Sequence, residues 1–305
     1  MHFQENTSLD IVLNDLFEHY RQNVVDVDKI TSALLERGVI LSQNDIVNDH
    51  IAFRTLGIPH LGISSLEKIF LHYGYTKRDY YYFEGKKLDA YWFAPAKDYY
   101  PRIFISELRV KELSKQAQDI IYKYTSRIVA DPVDQLDLNN GQQVAEFLQQ
   151  PLWALPTSNE YQILLQESEY AAWVIYNRYY LNHYTISIHE LKEGYNTLEE
   201  FNAFLYDIGI KLNNSGGEIK TSGDGLLRQS STVSALYEAH FSDGKKLKIA
   251  GSYVEFAERL VLPEFNHMDK ANIRAIHRRD GFETNNADKI FESTYTTQIR
   301  DSSSE

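Results

Sequence analysis

His50-Ile51-Ala52-Phe53-Arg54 is an apolar, strand-like stretch with a histidine at one end and an arginine at the other. Alternation along a strand puts His50, Ala52 and Arg54 on one face and Ile51 and Phe53 on the other. Downstream, Ser64 and Glu67 have capping-box spacing. Leu66, Ile69, Phe70 and Tyr73 repeat at helical spacing, and Gly74 ends the helix. Strands are expected at 75–83, 87–94 and 102–108, the first two turning around Glu84-Gly85. The order is βαβββ.

That order recurs in the second half. Asn182-His183-Tyr184-Thr185 opens a strand over 183–189, in which His183, Thr185, Ser187 and His189 share a face. Thr197 and Glu200 form a second capping pair, and Gly209 ends the helix whose face is Leu198, Phe201, Leu205 and Ile208. Strands follow at 217–221, at 226–240 with a break, and at 246–258. The last covers all but the end of Tyr253-Val254-Glu255-Phe256-Ala257-Glu258-Arg259 and puts Tyr253, Glu255 and Ala257 on one face. The halves share a pattern and no sequence identity.

The remaining segments frame these modules. Helices at 8–22 and 27–37, the second with Asp26 as N-cap and Gly38 at its end, form a cover over 1–47. The modules span 48–110 and 181–262. Helices at 111–125, 140–150 and 158–179 fill an insertion over 111–180. In the segment 263–305, the turn Asp280-Gly281-Phe282-Glu283 leads to a short helix near 286–293, placed to cover a pocket mouth. A polar tail after Ile299 is expected to be disordered.

Bulk composition removes several function classes. The net charge of -12 argues against a nucleic-acid surface, which needs clustered Lys and Arg. With no cysteine, disulfides, thiolate zinc sites and cysteine nucleophiles are excluded. Met1 to Asn6 lacks a basic n-region, and no stretch is apolar enough to span a bilayer, so the expectation is a cytoplasmic protein with no membrane partner. Gly223-Asp224-Gly225 is a turn and not a phosphate loop. Gly62-Ile63-Ser64 lacks the nucleophile-elbow pattern.

Chemistry therefore rests on His50, His183 and Glu255. Each lies in an apolar strand, and a carboxylate is rarely buried without a partner. Two histidines and a carboxylate that meet in space can hold non-heme Fe(II) with positions left open. Arg54 or Arg259 could instead pair with Glu255.

Paired βαβββ modules with ligands at these places resemble the vicinal oxygen chelate superfamily. More specifically, five segments are similar to the 2-oxoadipate dioxygenase/decarboxylase family: His50 to Arg54, Phe104 to Arg109, Asn182 to Thr185, Leu226 to Thr232, and Tyr253 to Phe256. The likeness covers about residues 45–295. It implies an α+β fold of two modules around a metal site, with added N-terminal and central helices. It implies Fe(II) on His50, His183 and Glu255, with Arg54 on a substrate carboxylate. The activity implied is O₂-dependent decarboxylation and hydroxylation of a 2-oxo dicarboxylic acid, 2-oxoadipate first among them.

Four neighbours stand beside this set. His189 is the rival second histidine, and its place before Glu190 suggests a solvated strand end. Glu107, in the last strand of the first module, matches Glu255 in position. As a fourth ligand it would suit a redox-neutral isomerase or lyase, but parity with Ile103 and Ile105 marks it as a surface or ion-pair residue, with Ser106 facing the pocket. Gln229 and Ser231 share a face and are expected to touch substrate or the ligands. A non-catalytic binding protein would keep His50, His183 and Glu255 apart.

Overall fold

The computed structural model describes residues 3–299 apart from Glu5. The tail expected at 300–305 lies outside the described residues.

Helices α1 (Ser8–Asn23) and α2 (Val25–Glu36) come first. Gly38, at φ 64°, ends α2 as expected, but Asp26 does not cap it, because the helix begins two residues earlier than expected, at Val25. The first module follows as β1 (Asn48–Leu56), α3 (Ile63–His72), β2 (Thr76–Phe83), β3 (Leu88–Ala94) and β4 (Arg102–Leu108). The insertion holds α4 (Lys115–Thr125), α5 (Gly141–Gln149), α6 (Ser158–Glu167) and α7 (Glu169–Asn177). The single helix expected over 158–179 is split because Ser168 is extended and caps α7 through Ala171 N.

The second module runs β5 (His183–Ser187), α8 (Leu198–Asp207), β6 (Lys220–Thr221), β7 (Leu227–Ser231), β8 (Leu236–His240), β9 (Lys246–Ala250) and β10 (Tyr253–Arg259). Helix α9 (Thr284–Ile290) lies near the chain's end. Strands β8 and β9 pair only with each other. They form a hairpin added between the third and fourth strands of the repeat, which accounts for the break expected within 226–240 and divides the single strand expected over 246–258 into β9 and β10.

The other eight strands form one sheet in the order β2-β3-β4-β1-β5-β10-β7-β6. Each half is therefore the same arrangement with its first and last strands parallel, β1 with β4 and β5 with β10. The halves meet where β1 and β5 pair antiparallel. There Ile51 faces its own counterpart Tyr184, so His50 pairs with Thr185 and His183 with Ala52. This symmetry brings both histidines to one face at the centre of the sheet.

The opposite face is covered by helices. Phe17 and Tyr20 of α1 lie against Tyr184 with ring centroids 5.0 and 5.1 Å apart, and Phe201 of α8 lies 5.0 Å from Phe256. This is ordinary apolar burial and leaves the face of His50 and Glu255 for chemistry.

The expected cap of α3 is replaced by a distant one. Gly62 opens the helix at φ 82°, and Glu107 accepts the Ile63 backbone N–H at 2.7 Å. A Cβ on Gly62 would lie 2.5 Å from that carboxylate, so glycine is required there. Glu107 is thus neither a surface nor an ion-pair residue. It faces away from the histidines, as its parity with Ile103 and Ile105 indicates, and satisfies a free helix N-terminus.

Candidate metal centre

Side-chain nitrogens of His50 and His183 and a carboxylate oxygen of Glu255 lie within 4.8 Å of one another, and all three residues are buried. The Nε2 atoms are 3.3 Å apart. Glu255 Oε2 is 3.1 Å from His183 Nε2, and Oε1 is 3.5 Å from His50 Nε2. Glu255 pairs with neither Arg54 nor Arg259.

The residue preceding each histidine sets its direction. His50 Nδ1 donates to Asp49 Oδ1 at 2.8 Å, and His183 Nδ1 donates to Asn182 Oδ1 at 3.0 Å. With Nδ1 carrying the proton, both Nε2 lone pairs point inward. A strand bulge between Asn48 and His50 takes Asp49 out of the regular alternation. Its carboxylate reaches back to His50 and receives Arg259 Nε at 2.5 Å and Nη2 at 2.8 Å. Burial works against the Asp49 charge, but Arg259 and Arg102 hold its pKa well below the usual range.

The two histidines differ electrically. Burial opposes charge on His50, yet Glu255 and Asp49 outweigh it and raise its pKa. Burial pushes His183 well below its ordinary value, helped by His50 and Arg54. On the other side, Gln229 Nε2 donates to Glu255 Oε1 at 2.6 Å, and Asn286 of α9 donates to Gln229 Oε1 at 3.1 Å. Ser231 pairs with Glu255 across the strands, but its hydroxyl meets Ser293 at 2.8 Å. Two imidazole lone pairs and a carboxylate that face one another, each held from behind, form a donor set suited to a divalent cation.

Arg54 shares this face and is 1% exposed. Its guanidinium lies 5.2 and 5.3 Å from the rings of Tyr170 and Trp173 on α7. It donates to Thr294 Oγ1 at 2.9 Å and to the Phe291 carbonyl at 3.1 Å. Among the described residues no carboxylate pairs with it. Ser106, on the same face, meets Tyr170 at 2.9 Å.

His189 is not part of this group. It follows β5 in a short turn of helix, and its Nδ1 accepts the Arg259 backbone N–H at 3.2 Å. Its side chain is only 11% exposed, so it is not solvated, and burial pushes its pKa down to about 3.

The site's cavity is lined by His50, His183, Gln229, Tyr253 and Glu255, with Phe104, Phe282, Ala287, Ile290 and Phe291 as its apolar wall. Phe282 stands edge-on to His50 at 4.7 Å. The segment after Asp280 thus covers the pocket, as its turn-helix pattern suggests. The free volume is about 20 Å³. That is room for about one water, so a larger molecule enters only as this aromatic cover gives way.

Sequence reading missed Asp49, Asn182 and Phe104. The first two had a signal: an Asx residue directly precedes the histidine in both modules.

Comparison with known proteins agrees with this construction. A family profile described as 2-oxoadipate dioxygenase/decarboxylase matches residues 12–270. A 2-oxoadipate dioxygenase/decarboxylase from Arabidopsis thaliana, named as chloroplastic, is 46% identical over 281 residues, covering 88% of this chain and 73% of its own. One from Oryza sativa subsp. japonica, named as chloroplastic/amyloplastic, is 47% identical over 266 residues, covering 83% and 71%. The crystal structure of hydroxyglutarate synthase from Oryza sativa, in complex with 2-oxoadipate, superposes with a TM-score of 0.85 at 41% identity over 97% of this chain and 96% of that one.

The plastid names overturn the cytoplasmic expectation. A missing secretory n-region bears on export alone and carries no information about other addresses. No described helix is long and apolar enough to cross a membrane. With its paired modules, its buried His-His-Glu group and relatives of this identity and coverage, the chain belongs to the 2-oxoadipate dioxygenase/decarboxylase family.

Proposed function

We propose that this chain uses O₂ to decarboxylate 2-oxoadipate and hydroxylate the shortened acid, giving 2-hydroxyglutarate and CO₂, with Fe(II) held by His50, His183 and Glu255. The observation that carries the reading is the convergence of these three side chains beside an aromatic wall that includes Phe104, with no fourth His, Asp or Glu joining them among the described residues. Bound there, Fe(II) supplies the Lewis acidity and redox chemistry that O₂ activation needs.

The side chains supply the rest. Asp49 and Asn182 accept from the Nδ1 atoms and so aim both Nε2 atoms inward, and Gln229 fixes the Glu255 carboxylate. Arg54, a buried cation lacking an acid partner, clamps the far carboxylate through charge-assisted hydrogen bonds. Phe104, Phe282, Ile290 and Phe291 exclude water from the reacting end. The modules at 48–110 and 181–262 each supply one histidine, and the segment after 263 closes the site.

The atoms balance without a cosubstrate. The carboxylate next to the keto group leaves as CO₂. The keto carbon becomes a carboxylate with one atom of O₂, and the other atom becomes the new hydroxyl. A redox-neutral isomerase with Glu107 as fourth ligand is disfavoured, because Glu107 caps α3 on the opposite face. A degenerate binding protein is disfavoured by the convergence itself.

The test is turnover of 2-oxoadipate under ¹⁸O₂ with Fe(II). The reading predicts 2-hydroxyglutarate carrying both labelled atoms. Metal-dependent conversion without O₂, or no conversion, would refute it.

A further inference from the structure

Tyr253 opens β10, two residues before Glu255, and its side chain lines the cavity. Its ring lies 4.8 Å from that of His183, tilted by 33°. Its hydroxyl is buried and has no partner in full hydrogen-bond geometry, although Arg54 and Ser293 lie close enough to interact with it. Arg54 Nε is itself buried with no acceptor. Two neighbouring donors therefore lack an acceptor at the wall shared by the cavity and Arg54. Phe291 belongs to the same wall, since it lines the cavity and its carbonyl accepts from Arg54 Nη2.

Native proteins leave few buried donors unpaired. An O–H and a guanidinium N–H side by side, with a positive charge that no described carboxylate contacts, fit one group: an oxyanion that accepts from both. Resting on the 2-oxoadipate reading above, we infer that the Tyr253 hydroxyl acts with Arg54 Nε as the recognition point for the far carboxylate. Tyr253 is then a specificity-determining residue that separates dicarboxylic from monocarboxylic 2-oxo acids.

The physical basis of the selection is the cost of failure. A monocarboxylic acid of equal length leaves both donors unpaired in a buried wall. Sites built around buried polar partners reject analogues that lack the matching group far more strongly than apolar pockets reject a missing methylene. The ring of Tyr253 is held against His183, so the hydroxyl stays aimed without a partner of its own.

Tyr253→Phe isolates the hydroxyl, because it keeps the ring and its contact with His183. The experiment measures dissociation constants of the full, Fe(II)-loaded chain without O₂, for 2-oxoadipate and 2-oxohexanoate, with thermal melting as a control for folding. Tyr253→Phe should bind 2-oxoadipate about 10- to 100-fold more weakly, the weight of one charge-assisted hydrogen bond. It should bind 2-oxohexanoate as the wild type does and melt no lower. Equal weakening for both acids would assign the hydroxyl to the reacting end and overturn the inference, as would unchanged selectivity. Wild-type protein that binds neither acid would overturn the substrate reading and this inference together.

Discussion

Phe104 occupies in the first module the place that Glu255 occupies in the second. Ala52 pairs with Phe104 across β1 and β4 as Thr185 pairs with Glu255 across β5 and β10, with His50 and His183 two residues upstream. A fully symmetric site would offer four ligands. A hydrocarbon ring at the fourth place offers no ligand, which leaves His50, His183 and Glu255 as three candidate donors.

Phe104→Glu should restore the fourth ligand. We expect the variant to hold a divalent metal at least as well as the wild type and to lose roughly 100-fold or more in O₂-dependent turnover, the scale of displacing a reactant from its place. Metal content by mass spectrometry and O₂ uptake check this together. Retained turnover would show that the place does not face the metal.

The partners behind the histidines should separate stability from metal binding. Asp49→Asn breaks a buried pair with Arg259 and should cost about 3–5 kcal/mol in urea unfolding. It should also weaken metal binding about 10- to 100-fold. Asn182→Ala removes only a neutral acceptor, so its unfolding cost should be smaller, about 1–2 kcal/mol. Similar unfolding costs would contradict the charge assigned to Asp49.

Arg54→Met should trade binding for stability. It removes a buried cation that has no carboxylate partner, so the substrate-free protein should melt at the same temperature or higher. Metal content should be unchanged and KM for 2-oxoadipate should rise about 100-fold, the worth of a buried charge-assisted pair. Loss of metal in this variant would contradict its role.

Lys220 gives a pH signature. It is buried, its Nζ donates to the Asn213 carbonyl at 2.6 Å, and burial pushes its pKa down to about 8 despite the pull of Glu255. The unfolded chain keeps the ordinary value of 10.5. Between pH 8 and 10.5 the unfolded state therefore binds more protons, so this group's contribution rises with pH and is lost again as pH falls towards 8. Lys220→Met should flatten the rise in metal-free protein and stabilise it at pH 7 by about 1–2 kcal/mol. Parallel stability curves for the two proteins would refute the assignment.

The fold was legible in the sequence because its modules obey local rules. Alternation in 50–56 and 253–259 and helical spacing in 64–73 each identify an element without help from the rest. The β8–β9 hairpin was not, since residues that leave one sheet to pair in another keep the same strand pattern. Likewise Ser64 has the chemistry of an N-cap, but the cap is Glu107, brought by tertiary packing from another strand. The converging His50, His183 and Glu255 were legible as polar residues in apolar strands. The matching of Phe104 with Glu255 was not, because it depends on the register between paired strands, which sequence alone leaves open.

The central claim is that three side chains hold one metal and leave its remaining positions free. Anomalous diffraction from crystals loaded with Fe(II) and 2-oxoadipate without O₂ tests it most directly. The account predicts a single ion about 2.0–2.2 Å from His50 Nε2, His183 Nε2 and a Glu255 oxygen, with the 2-oxo acid on its open side facing Phe104. An ion elsewhere, or one with a fourth protein ligand, would contradict it.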